Sequence, residues 1–309
     1  MPGAPSVSIG MPVYNGQNYV AEAVRSVLEQ SMTDFELIIC DNCSTDATLR
    51  VCRQFARLDG RVRVVDADQN RGAAWNFNRS VDEARGRLFK WASHDDLLSP
   101  HYLHYTFEVL EQRPDVVACH CETAAIDAEG RTVGLYAGQP SFEQDRASDR
   151  FRSAIIEPHR CLMVFGLVRT DALRSTPMIG AYTGSDRNLI AEWCLHGKVA
   201  HHSKTLMGRR DHPQASIRAH QDERARAAWF DPTLADKPVY PTWRRLTEYR
   251  ASVSRSPISV SERARCRWHL LAWLGARHQA GGRMATRIMR DWRRARRRPG
   301  PPPGQPAEA

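Results

Sequence analysis

The sequence predicts an α/β protein with a largely parallel central sheet, flanking helices and a C-terminal helical extension. Three observations predict it. The first hundred residues alternate short apolar runs with segments of helical spacing, as strand-helix units around a parallel sheet do. The run Phe35 to Cys40 is continuously apolar and short, which suits a strand covered on both faces. Excess positive charge is confined to the region beyond residue 243.

Taken in order, Val7, Ile9 and Met11 alternate and Pro12 closes the first strand. Tyr19, Ala23, Val24, Val27 and Leu28 then recur at helical spacing. Asp41 ends the second strand, and Asp46 is placed to cap a helix running to Leu58. Arg61 to Val65 makes a third strand, 72–84 a helix, and Leu88 to Ala92 a fourth strand that runs into Ser93-His94-Asp95-Asp96. A helix over 101–112, an apolar run over 115–119 and a turn at Asp127-Ala128-Glu129-Gly130 follow. Further on, 186–195 reads as helix, 198–207 as extended and 219–229 as helix. The domain reading is a catalytic body over 1–230, a basic helical extension over 231–298 and a disordered Pro-rich tail over 299–309.

Charge separates these layers. Residues 1–243 carry 28 basic and 31 acidic side chains, whereas 244–298 carry 16 Arg against Glu248, Glu262 and Asp291. The 309-residue chain has no apolar run near the roughly 18 to 20 residues that span a bilayer, which excludes an integral helical membrane protein. A cytoplasmic address is the expectation, since the first residues show no basic leader or cleavage site. Eight scattered cysteines do not form a dense disulfide framework, and free thiols are expected. The pairs Cys40/Cys43 and Cys119/Cys121 fall on strands as small packing residues, not as a zinc knuckle, and His201-His202 would face opposite sides of a strand. Neither a dinucleotide-binding glycine fingerprint nor a Walker loop is present, which argues against an oxidoreductase or a P-loop enzyme.

Ligands of an open parallel sheet bind at the C-terminal strand ends. Asp41 and the Asp95-Asp96 pair fall there, and clustered carboxylates suit a Mg²⁺ or Mn²⁺ ion carrying a diphosphate. The same dipeptide also suits capping of the following turn. Pro12-Val13-Tyr14-Asn15, the helix end Ser26 to Ser31, the segment Phe35 to Asp46, Asn70-Arg71-Gly72 and His94-Asp95-Asp96 occur in an order that resembles a family 2 glycosyltransferase. The resemblance is dense from residue 6 to about 130 and thinner to about 217.

It implies the GT-A fold, a nucleotide-sugar-binding α/β domain. It also implies a donor site in which the loop of Pro12, Tyr14 and Asn15 packs around the nucleotide and Asp41 accepts from the base or ribose. A carboxylate there suits a uracil or thymine imide, so a UDP- or dTDP-sugar is favoured. Arg71 is expected near the nucleotide, and Asp95 matches the last Asp of the family's Asp-x-Asp metal motif. Ser93 replaces the first Asp of that motif and brings no charge, so the metal rests on Asp95 with help from Asp96 or water. Asp186, opening a helix, matches the catalytic base of an inverting displacement on an acceptor hydroxyl; Ser185 or Asp186 also suits an N-cap. Arg210 and His212 match a late motif that closes over the diphosphate, and a polar loop is the alternative.

Envelope polysaccharide or glycoconjugate synthesis is the expected setting. The arginines beyond 243, with Trp268, Leu271, Leu274, Ile288 and Trp292, leave three readings open: helices packed on the body, peripheral contact with an anionic membrane, or, least favoured, nucleic acid. The rivals to an enzyme are a nucleotide-sugar-binding protein without turnover and an Arg-rich nucleic-acid binder.

Overall fold

The computed structural model describes residues 3–136, 138–219, 222–235, 237 and 240–279. Its centre is β1 (Val7–Val13), all seven residues buried. It pairs in parallel with β2 (Phe35–Asp41), from Val7 opposite Phe35 to Val13 opposite Asp41, and on its other side with β4 (Leu88–Trp91). β3 (Val62–Asp66) extends the parallel set beyond β2. The direction of chain progression therefore reverses around β1, and a crevice opens at the ends of β1, β2 and β4.

Side-chain alternation divides the core into two layers. Leu37 and Ile39 face α1 (Val20–Leu28), α2 (Thr48–Leu58) and α4 (Tyr102–Gln112). Ile38 and Cys40 face α3 (Ala73–Asp82), α5 (Ala147–Ile156) and α7 (Ser185–His196). On that second face a Cβ at Gly10 would stand 2.5 Å from Ser80 Oγ and 2.7 Å from Phe89, so only glycine lets α3 lie this close to β1.

The second half of the sheet departs from the parallel pattern. β8 (Leu167–Arg169) runs antiparallel between β4 and β6 (Val116–Ile126), and α6 (Thr170–Arg174) follows it directly. β7 (Thr132–Leu135) hairpins onto β6, and the two-residue β5 (Leu97–Leu98) runs antiparallel to β9 (Lys198–Arg210). β6 and β9 pair in parallel from Val116 opposite Lys198 to Ile126 opposite Arg210. Both strands outrun their sequence expectations of 115–119 and 198–207, because pairing carries polar His120, Glu122, Arg209 and Arg210 into the ladder. The helix expected over 219–229 is two pieces, α8 (Ser216–Ala219) and α9 (Glu223–Phe230), the latter capped by Asp222, whose Oδ1 accepts from the amides of Arg224 and Ala225 at 2.8 Å each.

The described part of the basic region packs on the body. Leu246, Tyr249 and Val253 of α10 (Pro241–Arg255), and Cys266, Leu270 and Trp273 of α11 (Val260–Gln279), share a core with Phe151, Leu189 and Trp193. Tyr249 stacks edge-on with Phe151 and Trp273 at 5.9 and 5.7 Å. The stripe read from the sequence divides here: Leu274 packs on the core, while Trp268 and Leu271 are 68% and 60% exposed. Ile288, Trp292 and the Pro-rich tail lie outside the described residues.

α10 is pinned by a buried acid. Glu192 of α7 is 2% exposed and accepts from Ser252 Oγ at 2.6 Å and from Arg255 Nε and Nη2 at 2.6 and 2.9 Å. Arg255→Ala should cost about 2–3 kcal/mol in urea unfolding, because it leaves a buried carboxylate short of donors. Trp268→Ala should stay within about 0.5 kcal/mol, as a surface change does.

Candidate functional site

One end of the crevice is assembled by the loops after β1 and β2. Pro12 lies opposite Cys40 inside the sheet, and Tyr14 emerges 43% exposed. Asn15 takes a left-handed conformation (φ 51°), and its Oδ1 accepts from the Thr45 amide at 2.8 Å while its own amide donates to Ser44 Oγ at 2.9 Å. Asp41 is fully buried; one carboxylate oxygen accepts from the Ser44 amide at 2.9 Å and the other, Oδ1, has no partner.

Two residues without an assigned role in the sequence reading complete this end. Asn42 donates to Asn70 Oδ1 and the Gly72 carbonyl and accepts from the Arg71 amide at 3.1 Å, which fixes the loop carrying Arg71. Asn76 donates to the Cys40 carbonyl at 2.7 Å. The Asn70-Arg71-Gly72 motif holds half of this signal, whereas nothing local marks Asn76. Arg71 itself pairs with Asp68 at 2.9 Å and lies over Trp75, 5.0 Å from the ring centroid.

A second cluster forms after β4. Ser93 Oγ donates to Asp95 Oδ1, and His212 Nε2 lies 2.9 Å from Asp95 Oδ2. His212 is buried against the Tyr19 ring at 4.6 Å, and its Nδ1 is unpartnered. Burial opposes the Asp95 charge, but the His212 contact, the neighbouring His94 and the Ser93 hydroxyl outweigh it and hold the carboxyl well below the usual carboxylate range. His94 joins the two ends: a Cβ on Gly16 would fall 2.4 Å from its ring.

Asp96 and Arg210 turn away from this crevice, in contrast to the sequence expectation. Asp96 is 8% exposed, and its Oδ1 accepts from the Arg210 amide at 2.9 Å. Its side chain is thereby held against β9, which corrects the reading of Asp96 as a helper to the metal. The Arg210 side chain is wholly buried. Its guanidinium donates to the Asp95 carbonyl at 2.8 Å, to the Asp127 and Ala128 carbonyls at 3.3 and 2.7 Å, and to Glu22 at 2.7 Å. With its donors committed to the protein, Arg210 cannot close over a diphosphate and instead clamps the Asp95 turn. Glu22, its ion-pair partner, carried no local signal, since 188 residues separate the two.

Asp186 occupies a third cluster. It sits in the first turn of α7, whose N-cap is Gly184 (φ 89°), so neither Ser185 nor Asp186 is the cap. The Asp186 Oδ1 accepts from the Arg187 amide at 2.8 Å. Cys161, in a left-handed conformation (φ 59°), directs its thiol at the Asp186 carboxylate; burial first, and the Asp186 charge second, push that thiol up, so it stays neutral. His159 fixes the Cys161 loop, its Nε2 lying 3.0 Å from the Ala154 carbonyl and its Nδ1 accepting from the Cys161 amide at 3.3 Å. Burial lowers its pKa to about 4, so the ring is neutral at physiological pH. Among the described residues no group of three or more His, Cys, Asp or Glu side chains forms a metal cage.

This arrangement of a strand-end carboxylate, a crevice at the switch in strand order and a helix-borne acid across the sheet is that of the GT-A fold. The S. aureus TarS structure in complex with UDP superposes with a TM-score of 0.63 at 16% identity, covering 90% of this chain and 73% of that one. The Pyrobaculum calidifontis mannosyltransferase PcManGT, in complex with GDP-Man and Mn²⁺, superposes with a TM-score of 0.53 at 17% identity, covering 93% and 84%. The family model for glycosyl transferase family 2 matches residues 8–167, and the chain belongs to that family. The putative teichuronic acid biosynthesis glycosyltransferase TuaG of Bacillus subtilis is 37% identical over 109 residues, 35% of this chain and 43% of its own length. The Escherichia coli chondroitin synthase is 30% identical over 142 residues, 46% of this chain and 21% of its own. The chain spans less than half the length of these curated relatives.

The Asp96 environment yields a pH test. Burial, and next to it the charge of Asp95, push its carboxyl up to about 7. The folded value thus lies above the unfolded one, so the stability contributed by the protonated carboxyl is complete below about pH 4 and is lost as pH rises through about 7. Asp96→Asn keeps a carbonyl oxygen for the Arg210 amide and removes the titration. Relative to wild type, its melting temperature should rise by about 3 °C or more between about pH 5 and about pH 8. A difference that does not change with pH would exclude a titrating Asp96.

Proposed function

We propose that this protein is an inverting glycosyltransferase that moves a sugar from a UDP- or dTDP-sugar to an acceptor hydroxyl in envelope polysaccharide or glycoconjugate synthesis. The observation that carries the donor reading is the fully buried Asp41, whose Oδ1 lacks a partner. A uracil or thymine imide N–H supplies the missing donor. The family membership, the UDP in the TarS structure and the teichuronic acid and chondroitin enzymes among the relatives support the same reading.

Asp95, with His212 against it, is the carboxylate that would hold a Mg²⁺ or Mn²⁺ ion. A single carboxylate with an imidazole neighbour fits such an ion only with donor phosphate and water as further ligands, which is its usual habit in phosphate sites. Bound there, the ion supplies Lewis-acid stabilisation of the departing nucleotide diphosphate. Asp186 takes the proton from the acceptor hydroxyl as that oxygen attacks the anomeric carbon from the face opposite the leaving nucleotide. One displacement of this kind inverts the anomeric centre. Cys161 keeps the base oriented without adding a charge beside it.

Calorimetric titration of UDP, dTDP and GDP, with and without Mn²⁺, tests the donor site. A pyrimidine diphosphate should bind with metal dependence, and Asp95→Ala should weaken that binding at least about tenfold, about 1.4 kcal/mol. Failure of both pyrimidine nucleotides to bind sinks the donor reading. Asp186→Asn should leave UDP binding intact and lower acceptor-dependent nucleotide release by about 10²- to 10⁴-fold. Retained anomeric configuration in the product would contradict the single displacement.

The outer face of α11 supports peripheral contact with an anionic membrane. Trp268 and Leu271 project there one turn apart, with Arg265 and Arg267 exposed beside them. Among the described residues no helix is long and apolar enough to cross a bilayer. The full chain should float with phosphatidylglycerol vesicles and not with phosphatidylcholine vesicles, and the Trp268→Glu/Leu271→Glu pair should abolish flotation. Equal flotation of that variant would discard this face.

A further inference from the structure

Around Asp186 the protein gathers arginines that form no salt bridge among the described residues. Arg187 follows Asp186 on α7, and its guanidinium donates only to the His159 carbonyl, at 2.6 Å. Arg160 adjoins Cys161, the residue whose thiol faces Asp186, and lies over the Tyr136 ring at 5.2 Å from its centroid. Arg209 reaches the same ring from β9 at 5.9 Å, and its charge also acts on the buried Asp96 carboxyl. Arg245 of α10 lies against Gly184, its Cδ 3.6 Å from where a Cβ would stand, and its Nε is buried without a partner. No ion pair to any of these four is found among the described residues, although the chain pairs Arg85, Arg87, Arg113 and Arg255 with carboxylates elsewhere.

Arg187 and Arg245 are partly buried, so water screens their charges incompletely. A positive rim of this kind raises the local concentration of an anion and orients it. Donor phosphates have their own end of the crevice at Asp95. We infer that the acceptor is an anionic saccharide chain, whose phosphodiester or carboxylate oxyanions lie on Arg160, Arg187 and Arg245 while its hydroxyl reaches Asp186. This rests on the reading of Asp186 as the acceptor end. Arginine suits the task because its planar fork grips either oxyanion by two parallel hydrogen bonds. The same cations offset the repulsion that an anionic chain would meet from Asp186 itself.

The test titrates the full chain separately with glycerol phosphate oligomers, oligogalacturonate, maltooligosaccharide and UDP, using wild type, Arg160→Gln and the Arg160→Gln/Arg245→Gln pair. At least one anionic oligomer should bind wild type with an affinity that falls as salt rises, and maltooligosaccharide should not bind. Which anionic arm binds separates phosphodiester from carboxylate. The pair should weaken that binding at least tenfold and leave UDP affinity within twofold; Arg160→Gln, an exposed single change, should move it in the same direction without a folding risk. Binding of neither anionic oligomer while UDP still binds overturns the inference and spares the donor site. Equal binding of maltooligosaccharide, or displacement of the anionic oligomer by a DNA duplex at equal charge concentration, also overturns it. A proportional loss of UDP affinity in the variants would assign these arginines to the donor diphosphate. If UDP binds neither wild type nor variant, the donor reading is what fails.

Discussion

The guanidinium of Arg210 draws four separate stretches of chain to one point. It holds the Asp95 carbonyl, the Asp127 and Ala128 carbonyls and the Glu22 carboxylate, and its backbone amide holds Asp96. Tyr19 lies beneath the guanidinium at 4.7 Å, and the same ring supports His212. The path of the Asp95 turn, the end of β9 and the first turn of α1 are therefore set together. A planar cation with five fixed donors can satisfy so many acceptors at once, and lysine could not. The acid pair differs in consequence: Asp95 faces the crevice among donors that favour its charge, and Asp96 lies buried where its charge is disfavoured.

The two ends of the candidate site differ in chemistry. On the base side, backbone amides and side-chain amides of Asn15, Asn42 and Asn76 fix the loops, with little net charge beyond Asp41. On the Asp186 side the surroundings are cationic, and the neighbour of that carboxylate is a thiol kept neutral by burial. A neutral, hydrogen-bonded cradle suits a nucleobase, whose identity is read through directional donors and acceptors, whereas a charged rim suits a flexible chain that slides past.

The positions of Asp41 and Asp95 were legible because these residues stand at or just past strand ends. Continuous apolar runs locate β2 and β4, and the acid after each run must then lie at the crevice; Asp41 and Asp95 follow from that logic alone. What separates Asp95 from Asp96 was not legible, since it depends on the ladder amide of Arg210, more than a hundred residues away. Arg210 likewise reads in sequence as part of a motif closing over the diphosphate or of a polar loop, and only long-range pairing of β6 with β9 carries it inward. The lengths of those strands were underestimated for the same reason: His120 and Glu122 look like strand ends until a partner strand covers them. In α11 the apolar residues were visible, but which of them face the core depends on α5 and α10: Leu274 packs on that core and Trp268 is exposed.

Arg210 comes late in the chain, and this bears on how the molecule is made. During synthesis from the N-terminus, Glu22, Asp95 and Asp96 all emerge well before the cation that organises them. The first strand-helix units can assemble from near-neighbour pairing of β1, β2, β3 and β4, but the metal-motif turn has nothing to hold it until β9 is added alongside β6. The geometry of the Asp95 turn is thus a product of the last large sheet-closing event, and a ribosome-bound chain stopped short of residue 210 would carry that turn without its clamp.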